Sequence, residues 1–126
     1  LGTERAMIVN GDGMDEITVT GPTFVAELKD GQVSEYTLDP ADFGIPRAPM
    51  EALKGGGAEQ NAVIVRAVLA GEKGPRRDIV LVNSAAALLV CGRVNDLKTG
   101  VETAAATIDS GRARAKLESL VEATRA

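Results

Sequence analysis

Two adjacent carboxylates, Asp15 and Glu16, follow the glycine-bearing loop Asn10-Gly11-Asp12-Gly13. Their type and spacing suit a hard cation. On a regular strand, neighbouring side chains diverge to opposite faces, whereas a glycine-relieved turn lets them converge on one point. Mg²⁺ favours that arrangement, because it takes one or two protein carboxylates and completes its octahedron with water and substrate phosphate oxygens. A solvated acidic turn uses the same residues, and on Gly13-Met14-Asp15-Glu16 alone it outweighs a metal site.

The elements around the pair must position it. Ala6-Met7-Ile8-Val9 reads as a short buried strand and Glu16-Ile17-Thr18-Val19-Thr20 as an alternating one. Thr23–Leu28 and Val33–Leu38 should pair as a hairpin through Lys29-Asp30-Gly31-Gln32, since Gly accepts the positive φ of a tight turn. Asp39-Pro40-Ala41-Asp42-Phe43-Gly44 has the form of a capped helical turn, and Ile45–Pro49 that of an extended connector.

Helix signals fill the second half. Ala58–Ala70 lies between Gly55-Gly56-Gly57 and Gly71, with Ala62, Val65 and Leu69 on one expected face. Asp78 is placed to cap a buried central helix over Ile79–Cys91, which is apolar nearly all round. Asn95 or Asp96 caps the next, carrying Leu97, Val101, Ala104 and Ile108. The last runs from about Gly111 to Thr124, with Ala113, Leu117, Leu120 and Val121 on one face.

Composition bounds the function. The 126 residues, 44% hydrophobic and 25% charged, suit a single domain or part of one. Phe24, Phe43 and Tyr36 are the only aromatic residues, so no stacking platform for single-stranded nucleic acid exists. A net charge of −4 argues against a phosphate-tracking surface. Histidine is absent, which removes the usual general base and every His-ligated metal site. Cys91 is the sole cysteine, so no disulfide forms within the chain and a cytoplasmic setting is expected. The longest apolar run is too short to span a bilayer. The chain begins at Leu1 rather than Met and is expected to be part of a longer protein.

Other candidates weigh less. Gly55-Gly56-Gly57 before a helix resembles a phosphate cradle, but it lacks a Gly-Lys-Ser/Thr ending and reads more readily as a flexible helix entry. Lys73, Arg76 and Arg77 are expected in a solvated interhelix turn, without a ligand. Cys91 is expected as a buried, inert thiol, and Ser84 has no base beside it in sequence. No residue qualifies as a catalytic group.

Read in order, the run from Val9 to Thr23, with Val25–Leu28, Asp39–Gly44, Gly55-Gly56, Ala58–Ala62, Leu69–Asp78 and Asn83–Leu88, resembles the C-terminal part of the α/β domain of anthranilate phosphoribosyltransferase. The resemblance covers essentially the whole chain and implies a larger α/β fold. Within it, residues 1–126 form one partial domain, strand-rich with a hairpin first and helical after. The implied activity is transfer of the phosphoribosyl group of PRPP to anthranilate in tryptophan biosynthesis. Asp15 and Glu16 match the family's acidic pair, which binds Mg²⁺ together with the pyrophosphate of PRPP. Asn10 stands where the family has His, and Gly57 where a polar residue is common. The family's Gly-Thr-Gly-Gly-Asp pyrophosphate loop and its Lys-His-Gly-Asn-Arg-type segment belong upstream and are not in this chain.

The resemblance thus implies PRPP and anthranilate as substrates, a homodimer when full length, and an incomplete site when this chain stands alone. Surfaces that face the missing part should appear as an apolar patch or an open strand edge. A standalone non-catalytic interaction module and a relative of the pyrimidine nucleoside phosphorylases are the alternatives.

Overall fold

The computed structural model describes residues 2–125. Three strands, β1 (Arg5–Gly11), β2 (Thr23–Lys29) and β3 (Gln32–Leu38), pair antiparallel in that order. The β2–β3 hairpin turns on Asp30 and Gly31, whose φ values of 52° and 76° are those of a two-residue turn with the twist that paired strands require.

Val9, Val25 and Tyr36 face one another across the sheet and point inward. With them pack Ile17, Val19, Leu38, Phe43, Ile45 and Val82 to form the main core. The opposite sheet face is open: Ile8 is 73%, Val33 68% and Phe24 49% exposed. The expectation of a buried first strand is therefore corrected. Among the described residues, β2 is the only strand paired with β1, whose other edge meets Met14 at Gly11, and Ile8 on the outer face stays exposed.

One polar group sits at the rim of the inner face. Tyr36 donates to Glu27 Oε2 at 2.8 Å, and Arg5 donates to Glu27 Oε1 at 3.2 Å. Burial, then the Glu27 carboxylate, push the Tyr36 phenol up to about 12.

The turn at Pro40–Phe43 forms as its sequence dictates. Asp39 accepts from Ala41 N–H, Asp42 accepts from Asp39 N–H, and Gly44 closes the turn with φ 72°. Hydrogen bonds from Arg47 and then from Ala41 hold the Asp39 carboxyl below its usual range. A second short 3₁₀ turn, Met50–Leu53, follows the connector and carries no sequence signal of its own.

Four helices complete the chain: α1 (Ala58–Leu69), α2 (Pro75–Val90), α3 (Leu97–Asp109) and α4 (Arg112–Thr124). In α1 the covered residues are Ile64, Ala67, Val68 and Leu69; Leu69 of the expected face packs against the Leu81 cluster, while Ala62 and Val65 are exposed. Helix α2 starts four residues before Ile79. Pro75, preset in φ and lacking an N–H, opens the helix, and Arg77 and Asp78 bond back to Gly74 O. Asp78 is consequently inside the first turn, and burial raises its carboxyl above the ordinary value. The helix is central yet not fully buried: Val82 enters the main core and Leu81 a second cluster with Ala104 and Ile108, while Val80 and Ala87 stay exposed.

Helix α3 is capped by Asp96, which accepts from Thr99 N–H at 2.8 Å. Its expected apolar face is observed. Gly100 lies so close to α2 that an added methyl would sit 2.8 Å from both Cα and Cβ of Ala85. Helix α4 has no fully buried residue, and Leu120 of its expected face is largely exposed.

Tyr36 is the only tyrosine, so its titration is directly readable. Its raised pKa favours the protonated phenol in the folded state. The associated stability is present below the ordinary value of 10.0 and is lost as pH rises towards about 12. Tyrosinate absorbance should show a midpoint near 12 in the folded chain and near 10 in denaturant. Glu27→Gln should lower the folded midpoint only in part, because burial remains.

The open sheet face favours association. Light scattering should show particle mass rising with concentration, and Ile8→Lys with Val33→Lys should reduce that rise. A monomer at every concentration would mean that the exposed apolar face is too dispersed to drive contact.

Candidate functional site

The segment bearing Asp15 and Glu16 is a pinned loop, and the strand expected over residues 16–20 does not form. Gly11 and Met14 exchange two backbone hydrogen bonds of 3.0 Å, with Asp12 (φ 53°) and Gly13 (φ 83°) at the tip. Beyond it, threonine hydroxyls take the place of a ladder partner. Thr18 N–H donates to Thr23 Oγ1 at 3.1 Å, and Thr20 N–H donates to Thr18 Oγ1 at 3.0 Å. Such local side-chain acceptors compete directly with strand pairing. Ile17, Thr18 and Val19 are all buried, a run that an alternating half-exposed strand does not produce.

Asp15 and Glu16 are both exposed at the mouth of this loop. Two contacts hold the chain beneath them. Gly11 lets the returning chain approach closely: a methyl there would collide with Glu16 O and lie 2.8 Å from Thr18 N. Asn83 of α2 supplies the other contact. Its Oδ1 accepts from Ile17 N–H at 2.9 Å, and its Nδ2 donates to Ile17 O at 2.8 Å and to Ile79 O at 2.9 Å. The same Nδ2 reaches Glu16 Oε2 at 3.2 Å. Among the described residues, Asn83 is the one side chain of α2 seen to bond this loop, and its signal in the sequence is a carboxamide within the apolar stretch from Ile79 to Val82 and Ala85 to Val90.

Asp15 and Glu16 offer oxygen donors of the kind that Mg²⁺ takes. Among the described residues, neither Asp15 nor Glu16 forms an ion pair, so no cation on the chain competes for them. No group of three or more His, Cys, Asp or Glu forms a metal cage among those residues. Mg²⁺ does not require one, since waters and substrate oxygens complete its shell. Two grooves lie near α2. One of about 410 Å³ runs between β1 and α2 past Ile17 and Asn83, and one of about 470 Å³ lies between α2 and α3; neither is lined by the two carboxylates.

The remaining candidates take structural roles. Asn61 closes the glycine run, accepting from Gly56 N–H at 2.8 Å and donating to Gly56 O at 2.9 Å, so the entry to α1 is fastened. The expected solvated cationic turn holds for the exposed Lys73 and is corrected for Arg76 and Arg77. Arg76 donates to Lys54 O at 2.7 Å, and Arg77, only 3% exposed, grips Asp109 through bonds of 2.7 and 3.0 Å. Arg77 is buried because α2 begins early enough to turn it towards the end of α3. Hydrogen bonding from Arg77 holds the Asp109 carboxyl below its usual range. Cys91 is exposed rather than buried, because α2 ends there and the chain turns away through Gly92.

Comparison with known proteins adds to this geometry. Residues 1–114 match the model of the glycosyl transferase family, a/b domain. The chain is 55% identical over 122 residues to an anthranilate phosphoribosyltransferase of Rhodopseudomonas palustris (strain HaA2), covering 96% of this chain and 36% of that protein. A Thermoanaerobacter sp. (strain X514) protein of the same name is 54% identical over 123 residues, again covering 36% of its length. The crystal structure of anthranilate phosphoribosyltransferase from Thermus thermophilus superposes with a TM-score of 0.87 at 41% identity, covering 97% of this chain and 36% of that one. The Saccharomyces cerevisiae enzyme in complex with PRPP and Mg superposes at 0.80 with 28% identity, covering 89% and 33%. The chain spans about a third of the length of these relatives.

The close approach at Gly11 is testable by stability. Gly11→Ala should lower unfolding free energy by about 1–3 kcal/mol, the usual range for a group forced into packed space. Gly21→Ala, where a methyl meets only Asp12 Oδ2 at 3.6 Å, should cost clearly less. Urea unfolding followed by circular dichroism compares the two. Equal losses would show that the loop yields to the added methyl.

Proposed function

This chain belongs to the glycosyl transferase family through its α/β domain, and on that premise we propose that it is the C-terminal third of an anthranilate phosphoribosyltransferase. The intact enzyme transfers the phosphoribosyl group of PRPP to anthranilate, in a cytoplasmic setting and as a homodimer. The observation that carries this reading is identity of 54–55% with relatives of that name over nearly the whole of this chain.

In this reading Asp15 and Glu16 hold Mg²⁺ jointly with the pyrophosphate of PRPP. Mg²⁺ held there would supply charge neutralisation for a pyrophosphate leaving group. The chain's own residues present the two carboxylates. Gly11 and Asn83 fix the backbone under them, the threonine network stiffens the return to β2, and the exposed position leaves room for substrate oxygens. The negative charge of the chain, −4 overall, also makes an anionic substrate unwelcome without a cation. No residue of this segment is assigned as general base.

The test uses a hybrid in which this chain replaces the matching third of the Rhodopseudomonas palustris relative. With PRPP, anthranilate and Mg²⁺ the hybrid should be active and the 126-residue chain alone should remain at background, since the charged parts of the site act only together. Asp15→Asn with Glu16→Gln should lower transfer by about 100-fold or more, the order lost when a placed charge-stabilising group is removed. It should also raise the Mg²⁺ concentration required, with the anthranilate KM changed little. An inactive hybrid would overturn the assignment, and an unchanged Mg²⁺ dependence would reduce the pair to a solvated acidic turn.

A further inference from the structure

The Asn83 carboxamide has more acceptors than protons. Its Nδ2 carries two hydrogens yet lies within hydrogen-bond distance of Ile17 O, Ile79 O and Glu16 Oε2, at 2.8, 2.9 and 3.2 Å. The two shorter bonds fasten the amide to its own helix and to the loop. The longest, to Glu16, must share a proton with one of them. Ile17, 1% exposed and bonded by Asn83 through both its N–H and its C=O, gives Glu16 a fixed backbone neighbour.

We propose that Asn83 is a positioning residue for the metal half-site, orienting the Glu16 carboxylate and anchoring the loop that presents it together with Asp15. The inference rests on the reading of Asp15 and Glu16 as Mg²⁺ ligands. Groups that orient a ligating carboxylate matter almost as much as the ligand itself, and their loss typically weakens metal binding by about 10- to 100-fold. Asparagine is suited to this place. It offers one acceptor for Ile17 N–H and two N–H donors shared among the three oxygens, whereas aspartate keeps only the acceptor and sets a like charge beside Glu16.

The experiment is a double-mutant comparison in the hybrid enzyme, with Mn²⁺ as a paramagnetic probe in the presence of pyrophosphate. Asn83→Asp should raise the half-saturating Mn²⁺ concentration, read by water proton relaxation, and the half-saturating Mg²⁺ concentration for transfer by about 10-fold. Anthranilate KM should stay near that of the parent. In a Glu16→Gln background, Asn83→Asp should add clearly less, because the carboxylate it orients is gone and only the anchor beneath Asp15 is left to lose. If Glu16→Gln leaves metal dependence unchanged, the half-site reading itself falls. If Glu16→Gln shifts it but Asn83→Asp does not, or shifts it equally in both backgrounds, the positioning role falls alone. A second measurement needs no variant at Asn83. In the parent hybrid labelled with ¹⁵N-asparagine, the carboxamide identified by its nuclear Overhauser contacts to Ile17 and Ile79 should broaden with Mn²⁺ and pyrophosphate. It should not broaden when Glu16→Gln and Asp15→Asn are introduced. Absence of broadening in the parent would place the ion away from Asn83 and overturn the proposal.

Discussion

The grip of the Asn83 carboxamide on the Ile17 backbone joins the two halves of this molecule. The contact spans 66 positions of sequence and satisfies both an N–H and a C=O in a loop that has no strand partner at that point. A buried peptide group left without a partner costs about 1–3 kcal/mol. The loop therefore follows its helical anchor. Ile17 and Val19 can then enter the core beside Val82, one residue before Asn83 on the same helix. Burial and hydrogen bonding reinforce each other here: the apolar side chains seat the loop, and the carboxamide sets its register.

That anchor is only as rigid as α2, which is held from its other side by α3. Gly100 removes the side chain that would keep the two backbones apart, and Ala85 meets it with the smallest side chain available. At one end of the pair, Arg77 reaches out of the buried zone to Asp109, whose carboxylate sits at the boundary with solvent. A buried guanidinium tolerates that position because its charge is answered by two hydrogen bonds in fork geometry. The same arginine ties the first turn of α2 to the last residue of α3, so helix spacing is set at both the glycine contact and the ion pair.

Rigidity and chemistry are divided between neighbouring residues. Ile17, Thr18 and Val19 are buried and bonded, while Asp15 and Glu16, immediately before them, are exposed and free of cationic partners among the described residues. A carboxylate pair engaged in internal salt bridges would have to give them up to bind a metal. A pair on a loose loop would lose ordering entropy at each binding event. Here the backbone is ordered in advance and the side chains remain available, as the proposed ion site would need.

By itself the sequence determined the elements whose signals are local. Asp30-Gly31 specified its turn through backbone sterics, Asp39 and Asp96 their caps through short-range hydrogen bonds, and the periodic apolar residues of α3 the face that it buries. The adjacent Asp15 and Glu16 were legible for the same reason, since two carboxylates after a glycine loop need no distant partner to be noticed. The tertiary structure decided what depends on residues far apart in the chain. The segment over residues 16–20 had the pattern of a strand, yet threonine hydroxyls and Asn83 claimed its backbone. Arg77 read as a solvated cation until the early start of α2 turned it towards Asp109, and Cys91 read as buried until the end of that helix left it outside. Local sterics and short-range hydrogen bonds are encoded within a few residues, but burial and long-range bonding depend on which surfaces the folded chain brings together.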